Sequence, residues 1–279
     1  MSTDWKSEDI LNNSKHLEDF FHRDRIRFED ERPLGLLPDG KRRVKDMLKD
    51  LRKVPPKFIV WIEGPQIDAD DIANPLSSFA NGIIRAAEEA QIPTISYCCE
   101  VRRDEPLRTG NESREAQATI NLICALIRQM IELLPPAFRA GVDLSEGRLR
   151  GLDGCILSWS ESVRVFRDLI PLMPKKVYYI IDGLHWLDDR STDRCLEELI
   201  QVMRDAKLIA LFSTTGRSAC LRQHSGTIAH TYLLATDFRD SYWPELRAQQ
   251  DLIKVDSEPQ KCAHCRLSRL LIAALKLKS

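Results

Sequence analysis

Four continuously apolar runs, separated by amphipathic helical patterns, set the main limit on how this 279-residue chain folds. They fall at about Phe58 to Glu63, Ile92 to Cys99, Val177 to Ile181 and Leu208 to Ser213. A strand that is apolar on both faces needs cover on both faces, which a parallel sheet between helical layers provides. A weaker fifth run spans Thr227 to Leu234. Between them, Asn74-Pro75 suits a helix start, with Leu76, Phe79, Ile83, Ile84 and Ala87 on its buried face. The spacing also predicts helices over about Ser113 to Leu134, Ser160 to Leu172 and Thr192 to Arg204, and a loop-rich stretch from Ala137 to Ser158.

The segment before the first strand reads as helical. One helix is expected over about Ser7 to Arg32, with Leu17, Phe20, Phe21 and Phe28 near one face. After a turn-rich break from Pro33 to Gly40, Asp39 could cap a second helix carrying Val44, Met47, Leu48 and Leu51, which Pro55-Pro56 ends. The expected division is an N-terminal helical segment at 1–53, an α/β domain at 54–237 and a tail at 238–279, partly helical or disordered.

Composition narrows the function classes. A formal net charge of −1 gives no whole-chain field toward nucleic acid or a membrane. No apolar run approaches the roughly 20 residues that span a bilayer, and the polar, acidic start from Met1 to Asp9 resembles neither a secretory signal nor a transit peptide. The eight cysteines mostly sit singly in apolar segments, as reduced thiols of a cytoplasmic protein do. Cys262 and Cys265 have the C-x-x-C spacing, but no second pair follows to complete a zinc site.

The first strand runs into Gly64-Pro65, the way a phosphate-binding loop begins. Counting the G-x-x-x-x-G-K-[ST] spacing from Gly64 puts Ala69, Asp70 and Asp71 where glycine, lysine and hydroxyl belong. A phosphate cradle needs a cation and converging N–H groups. This loop instead carries Asp68, Asp70 and Asp71, which with Glu63 could form a cation site or simply be solvated.

Further motifs follow in order. Val177 to Leu184 looks like a Walker B strand ending in Asp182; Leu211 to Arg217 looks like a sensor I strand; Leu126 to Met130 looks like the helix between the second strand and Walker B. Together they resemble the NACHT-type, nephrocystin-like N-terminal P-loop NTPase domains of fungal STAND proteins, over roughly Phe58 to Leu234. The resemblance implies a three-layer α/β fold with a five-stranded, mainly parallel sheet in the order 5-1-4-3-2, preceded by N-terminal helices. Residue by residue, Gly64 matches the first Walker A glycine, Asp182 the Walker B aspartate that holds Mg²⁺, and Arg217 the sensor I arginine. The pattern departs after Leu184, where His185 and Trp186 replace an acidic pair.

Each of these residues also has a plainer reading. Asp182 reads as a turn residue or helix cap as readily as a metal ligand. His185 and Trp186 read as loop packing, with no nucleophile in evidence. Ser213, Thr214, Thr215 and Arg217 suit either anion binding or ordinary turn chemistry. The expected function is that of a degenerate NACHT-like interaction or signalling module without efficient hydrolysis. It has protein partners, such as homologous STAND proteins, and no required cofactor. Two alternatives stay open. One is a nucleotide switch binding ATP or ADP with Mg²⁺ through Gly64, Asp182 and Arg217, with Arg85 or Arg102-Arg103 lending charge. The other is a membrane-surface adaptor using the basic, amphipathic Arg266 to Lys278.

Overall fold

A computed structural model describes residues 3–26, 58–64, 74–110, 112–224 and 228–232. The expected helix over 39–51, the acidic residues Asp68, Asp70 and Asp71, and the tail with Cys262, Cys265 and Arg266–Lys278 lie outside the described residues.

The apolar runs form a parallel sheet. Its strands are β2 (Phe58–Gly64), β3 (Thr94–Cys98), β5 (Tyr178–Asp182) and β6 (Ile209–Thr215). They lie side by side in the order β3-β5-β6-β2. A short segment, β7 (Ala229–Tyr232), runs parallel along the outer side of β2, with Val60 opposite Ala229. Numbered by sequence, the four main strands follow the order expected for them.

Alternation within each strand divides the core in two. Val60, Ile62, Tyr178, Ile180 and Ile209 face one layer, which α2 (Pro75–Glu89) covers with Leu76, Phe79, Ile83 and Ile84. Trp61, Ile95, Tyr97, Tyr179, Ile181 and Phe212 face the other. That side is covered by α3 (Arg114–Glu132), α5 (Trp159–Leu169) and α6 (Asp193–Asp205). The helix starts are set by capping: the Asn74 side chain accepts from the Ser77 N–H at 2.9 Å with Pro75 in the first turn, and Ser113 accepts from the Ala116 N–H at 3.0 Å.

Two expectations are corrected here. The N-terminal segment is not one helix from Ser7. A short strand, β1 (Thr3–Lys6), precedes α1 (Ser7–Asn13), and two 3₁₀ turns follow at Lys15–Phe20 and Arg23–Arg25. The helix stops because the Ser14 hydroxyl turns back on the Leu11 carbonyl at 3.1 Å, while buried Arg128 on α3 donates to that same carbonyl at 2.6 Å and to Ser14 Oγ at 2.8 Å. The stretch 137–158 is not all loop either. It holds β4 (Ala137–Ala140), which pairs antiparallel with β1, and α4 (Glu146–Arg150). Neither short strand shows clean apolar alternation, so their pairing left no periodic signal.

The N-terminal residues belong to the core. Ile10 and Leu17 are fully buried in the cluster beneath α3, and Arg128 adds an ion pair to Glu18 at 2.6 Å. At the sheet's far edge, Gln129 takes the place of another strand. Its amide accepts from the Ser96 N–H and donates to the Ser96 carbonyl, both at 2.9 Å, closing the middle of β3 to edge pairing.

Arg128 is therefore the main polar tie between the N-terminal segment and α3. Replacing it with Ala takes one of two donors from the Leu11 carbonyl and removes the donor to Ser14 Oγ, and should lower stability by about 1–3 kcal/mol in urea unfolding. An unchanged midpoint would show that the tie carries no net stability.

Candidate functional site

The carboxyl ends of the parallel strands gather the residues singled out in the sequence, as expected for an open α/β sheet. Asp182 is the last residue of β5 and is 5% exposed. Its side chain lies on the α2 face, in phase with Tyr178 and Ile180. Both oxygens are engaged: Ser213 Oγ, on the neighbouring residue of β6, donates to Oδ1 at 2.6 Å, and Ser77 Oγ, in the first turn of α2, donates to Oδ2 at 2.5 Å. Asp182 is thus neither a turn residue nor a helix cap. It joins two strands and a helix. Burial pushes its carboxyl above the usual range, against the two serine hydroxyls and the Gly183 N–H, which favour the ionised form.

Gly64 ends β2 on the same rim, two strands away from Asp182. A Cβ placed there would come within 2.0 Å of Leu76 Cδ1 and 3.3 Å of Leu76 Cγ. In this packing the end of the Leu76 side chain occupies the space that a Cβ at Gly64 would take, so a larger residue requires Leu76 to shift. The Gly64 carbonyl also accepts from the Gly216 N–H at 3.0 Å, which ties β2 to the turn leaving β6.

Leu76 and Ser77 revise the motif alignment. Counting from Gly64 placed the hydroxyl position at Asp71. In space, the hydroxyl on the strand-end carboxylate is that of Ser77, and the residue before it, where the motif carries lysine, is Leu76. The fixed count missed Ser77 because the helix starts only at Pro75, further along the chain than the motif spacing allows. The Asn74-Pro75 start was legible, and counting from it instead would have put Ser77 in the first turn.

The sensor-like strand is engaged mostly in internal bonds. Thr214 Oγ1 accepts from Trp61 Nε1 at 2.8 Å and donates to the Gly216 carbonyl at 2.8 Å, and Thr215 Oγ1 lies 3.0 Å from His185 Nε2. His185 packs against Trp186 with ring centroids 5.3 Å apart. Burial lowers its pKa to about 4, so the ring is neutral at physiological pH and packs the turn. Arg217 alone of this group is exposed, and it makes no ion pair among the described residues.

The other cations are placed elsewhere. Arg102 pairs with Glu100 and Glu105, each at 3.1 Å. Arg85 lies eight residues beyond Ser77 on α2, about 12 Å along the helix axis at 1.5 Å per residue. Cys98 and Cys99 are buried, and burial holds both thiols well above their ordinary pKa, a setting for inert packing thiols. Among the described residues no group of three or more His, Cys, Asp or Glu side chains is placed to hold a metal ion, and no helix is long and apolar enough to cross a membrane.

No protein-family profile matches the chain, and no curated protein matches it. Among solved structures, a chain from the structure of Drosophila ORC bound to AT-rich DNA and Cdc6 is similar at 12% sequence identity with a TM-score of 0.34. The match covers 71% of this chain and 58% of that one.

The contact between Gly64 and Leu76 makes a specific prediction. Gly64→Ala should cost about 1–3 kcal/mol through overpacking, and Leu76→Ala about 2–5 kcal/mol through a cavity. Removing the leucine makes room for the new methyl, so the double variant should be less destabilised than the sum by at least about 0.5 kcal/mol in a urea double-mutant cycle. Strict additivity would contradict the contact.

Proposed function

We propose that this chain is a P-loop-type α/β domain whose phosphate site has become a structural joint, and that it works by binding other proteins instead of hydrolysing nucleotide. One observation carries the reading: the strand-end carboxyl of Asp182 is buried and accepts from both Ser77 and Ser213, while Leu76 stands before Ser77, where the motif would carry its phosphate-binding lysine. Phosphoryl transfer is almost entirely positioning and charge neutralisation, and a leucine supplies neither. The strand order and the order of the motifs support the P-loop class, and the same motif order supports a NACHT-like origin. Loss of the charges leaves the fold intact because apolar burial on both faces of the sheet holds it together. Interaction with protein partners, including homologous domains, is the function left to such a scaffold.

A second reading is favoured by one specific feature. A hydroxyl in the first turn of the helix, hydrogen-bonded to the strand-end aspartate, is the pair that holds Mg²⁺ in P-loop enzymes. On that reading Gly64, Asp182 and Arg217 serve a nucleotide switch.

Calorimetric titration with ATP and ADP, with and without Mg²⁺, separates the two. The structural-joint reading expects no binding heat and no rise in melting temperature. Micromolar binding that Asp182→Asn abolishes would overturn it in favour of the switch.

A further inference from the structure

The way the N-terminal segment is fastened changes abruptly after Phe21. Up to that point it is held by apolar burial together with the Arg128 tie: Ile10 and Leu17 are fully buried and Phe21 is 5% exposed. From His22 to Ile26 the attachment is mostly through polar and charged side chains. His22 Nε2 meets Glu105 Oε1 at 2.6 Å, Arg25 Nη2 meets Glu100 Oε2 at 2.6 Å, and Asp24 Oδ2 meets Arg102 Nη2 at 3.3 Å. The backbone hydrogen bonds of the turn are local, from Arg25 to His22 and from Ile26 to Arg23. Arg23 pairs with Glu18 at 2.7 Å, and the half-buried Ile26 side chain and a bond from Ser96 Oγ to the Ile26 carbonyl at 2.7 Å add to these contacts.

The receiving loop is shaped without the strap. Arg102 bridges Glu100 and Glu105 within the loop, and Arg114 on α3 donates to the Arg102 carbonyl at 2.8 Å and the Glu105 carbonyl at 2.6 Å. Between strap and loop lies a cavity of about 20 Å³, lined by His22, Arg25, Tyr97, Glu100, Arg102 and Glu105 among others. That is room for about one water, so solvent has a foothold among the charges. Beneath lies β3, whose Cys98 is paired in register with Asp182.

We propose that His22–Ile26 is a charge-latched strap over the outer edge strand, which opens when other charges compete for Glu100, Arg102 and Glu105. The His22 and Asp24 contacts are partly exposed, so they are weak and screened by salt, while Arg25 and Glu100, at 13% and 22% exposed, form the better-shielded pair. Three of them acting together on a turn with one apolar contact make an element that opens locally while the body stays folded. Opening uncovers the Tyr97 end of β3, one strand away from the Asp182 joint.

Limited trypsin digestion of the full chain tests this at the Arg25–Ile26 bond, read by mass spectrometry. The rate is normalised to a free peptide covering residues 20–30. Raising salt from about 0.01 M to about 1 M shortens the screening length from about 30 Å to about 3 Å. That should speed cleavage at this bond several-fold. At low salt, Glu100→Gln and Glu105→Gln should each speed it about threefold and their combination about tenfold, with the melting temperature and the cleavage pattern within α3 unchanged. Equal rates across salt and variants would overturn the latch. So would acceleration that comes with digestion inside α3, because the strap would then open only when the whole domain unfolds.

Discussion

A carboxyl group buried at the end of a central strand costs several kcal/mol unless hydrogen bonds replace the water it loses. Asp182 is in that position, and its replacements come from different elements: Ser213 on the adjacent strand and Ser77 on the helix above. Meeting this one group fixes the rotation of α2 on the sheet and the distance between the helix start and the strand ends. Leu76, one residue before Ser77, is then carried onto Gly64, where its side-chain end fills the space a Cβ would take. The joint thus accounts for a serine, a leucine and a glycine at once.

The rest of the rim follows the same pattern. Thr214 holds Trp61, Thr215 meets His185, and the Gly216 N–H returns to Gly64. Side chains that could line a ligand site are turned on one another. The charged strap at His22–Ile26 is the contrast, a segment attached by contacts that salt weakens.

Much of the architecture was legible in the sequence. The strands at 58–64, 94–98, 178–182 and 209–215 are apolar on both faces, and the helices between them carry strong periodicity. Such signals come from burial, which dominates the energetics and leaves a pattern. What escaped were features set by single side chains. The break after Asn13 depends on Arg128 reaching Leu11 and Ser14 from more than a hundred residues away. The pairing of Thr3–Lys6 with Ala137–Ala140 is long-range and only weakly apolar. Asp182 and Gly64 were identified as positions, but their real partners, Ser77 and Leu76, were hidden by counting a motif at fixed spacing. A spacing rule assumes where the helix begins, and here it begins at Pro75.

The central claim is that Asp182 is a buried structural carboxyl and not a cation ligand. Its folded pKa is raised, so its contribution to stability is fully present below the unfolded pKa and is lost as pH rises through the folded value. The Asp182→Asn variant mimics the protonated acid at every pH. The decisive measurement is the stability difference between the wild-type chain and Asp182→Asn, by urea unfolding across acidic to neutral pH. The account predicts that wild type gains on the variant as pH falls from neutral toward about 4. A wild type that instead gains as pH rises would mean that the fold stabilises the charged carboxylate, as a cation site requires, and would contradict the account.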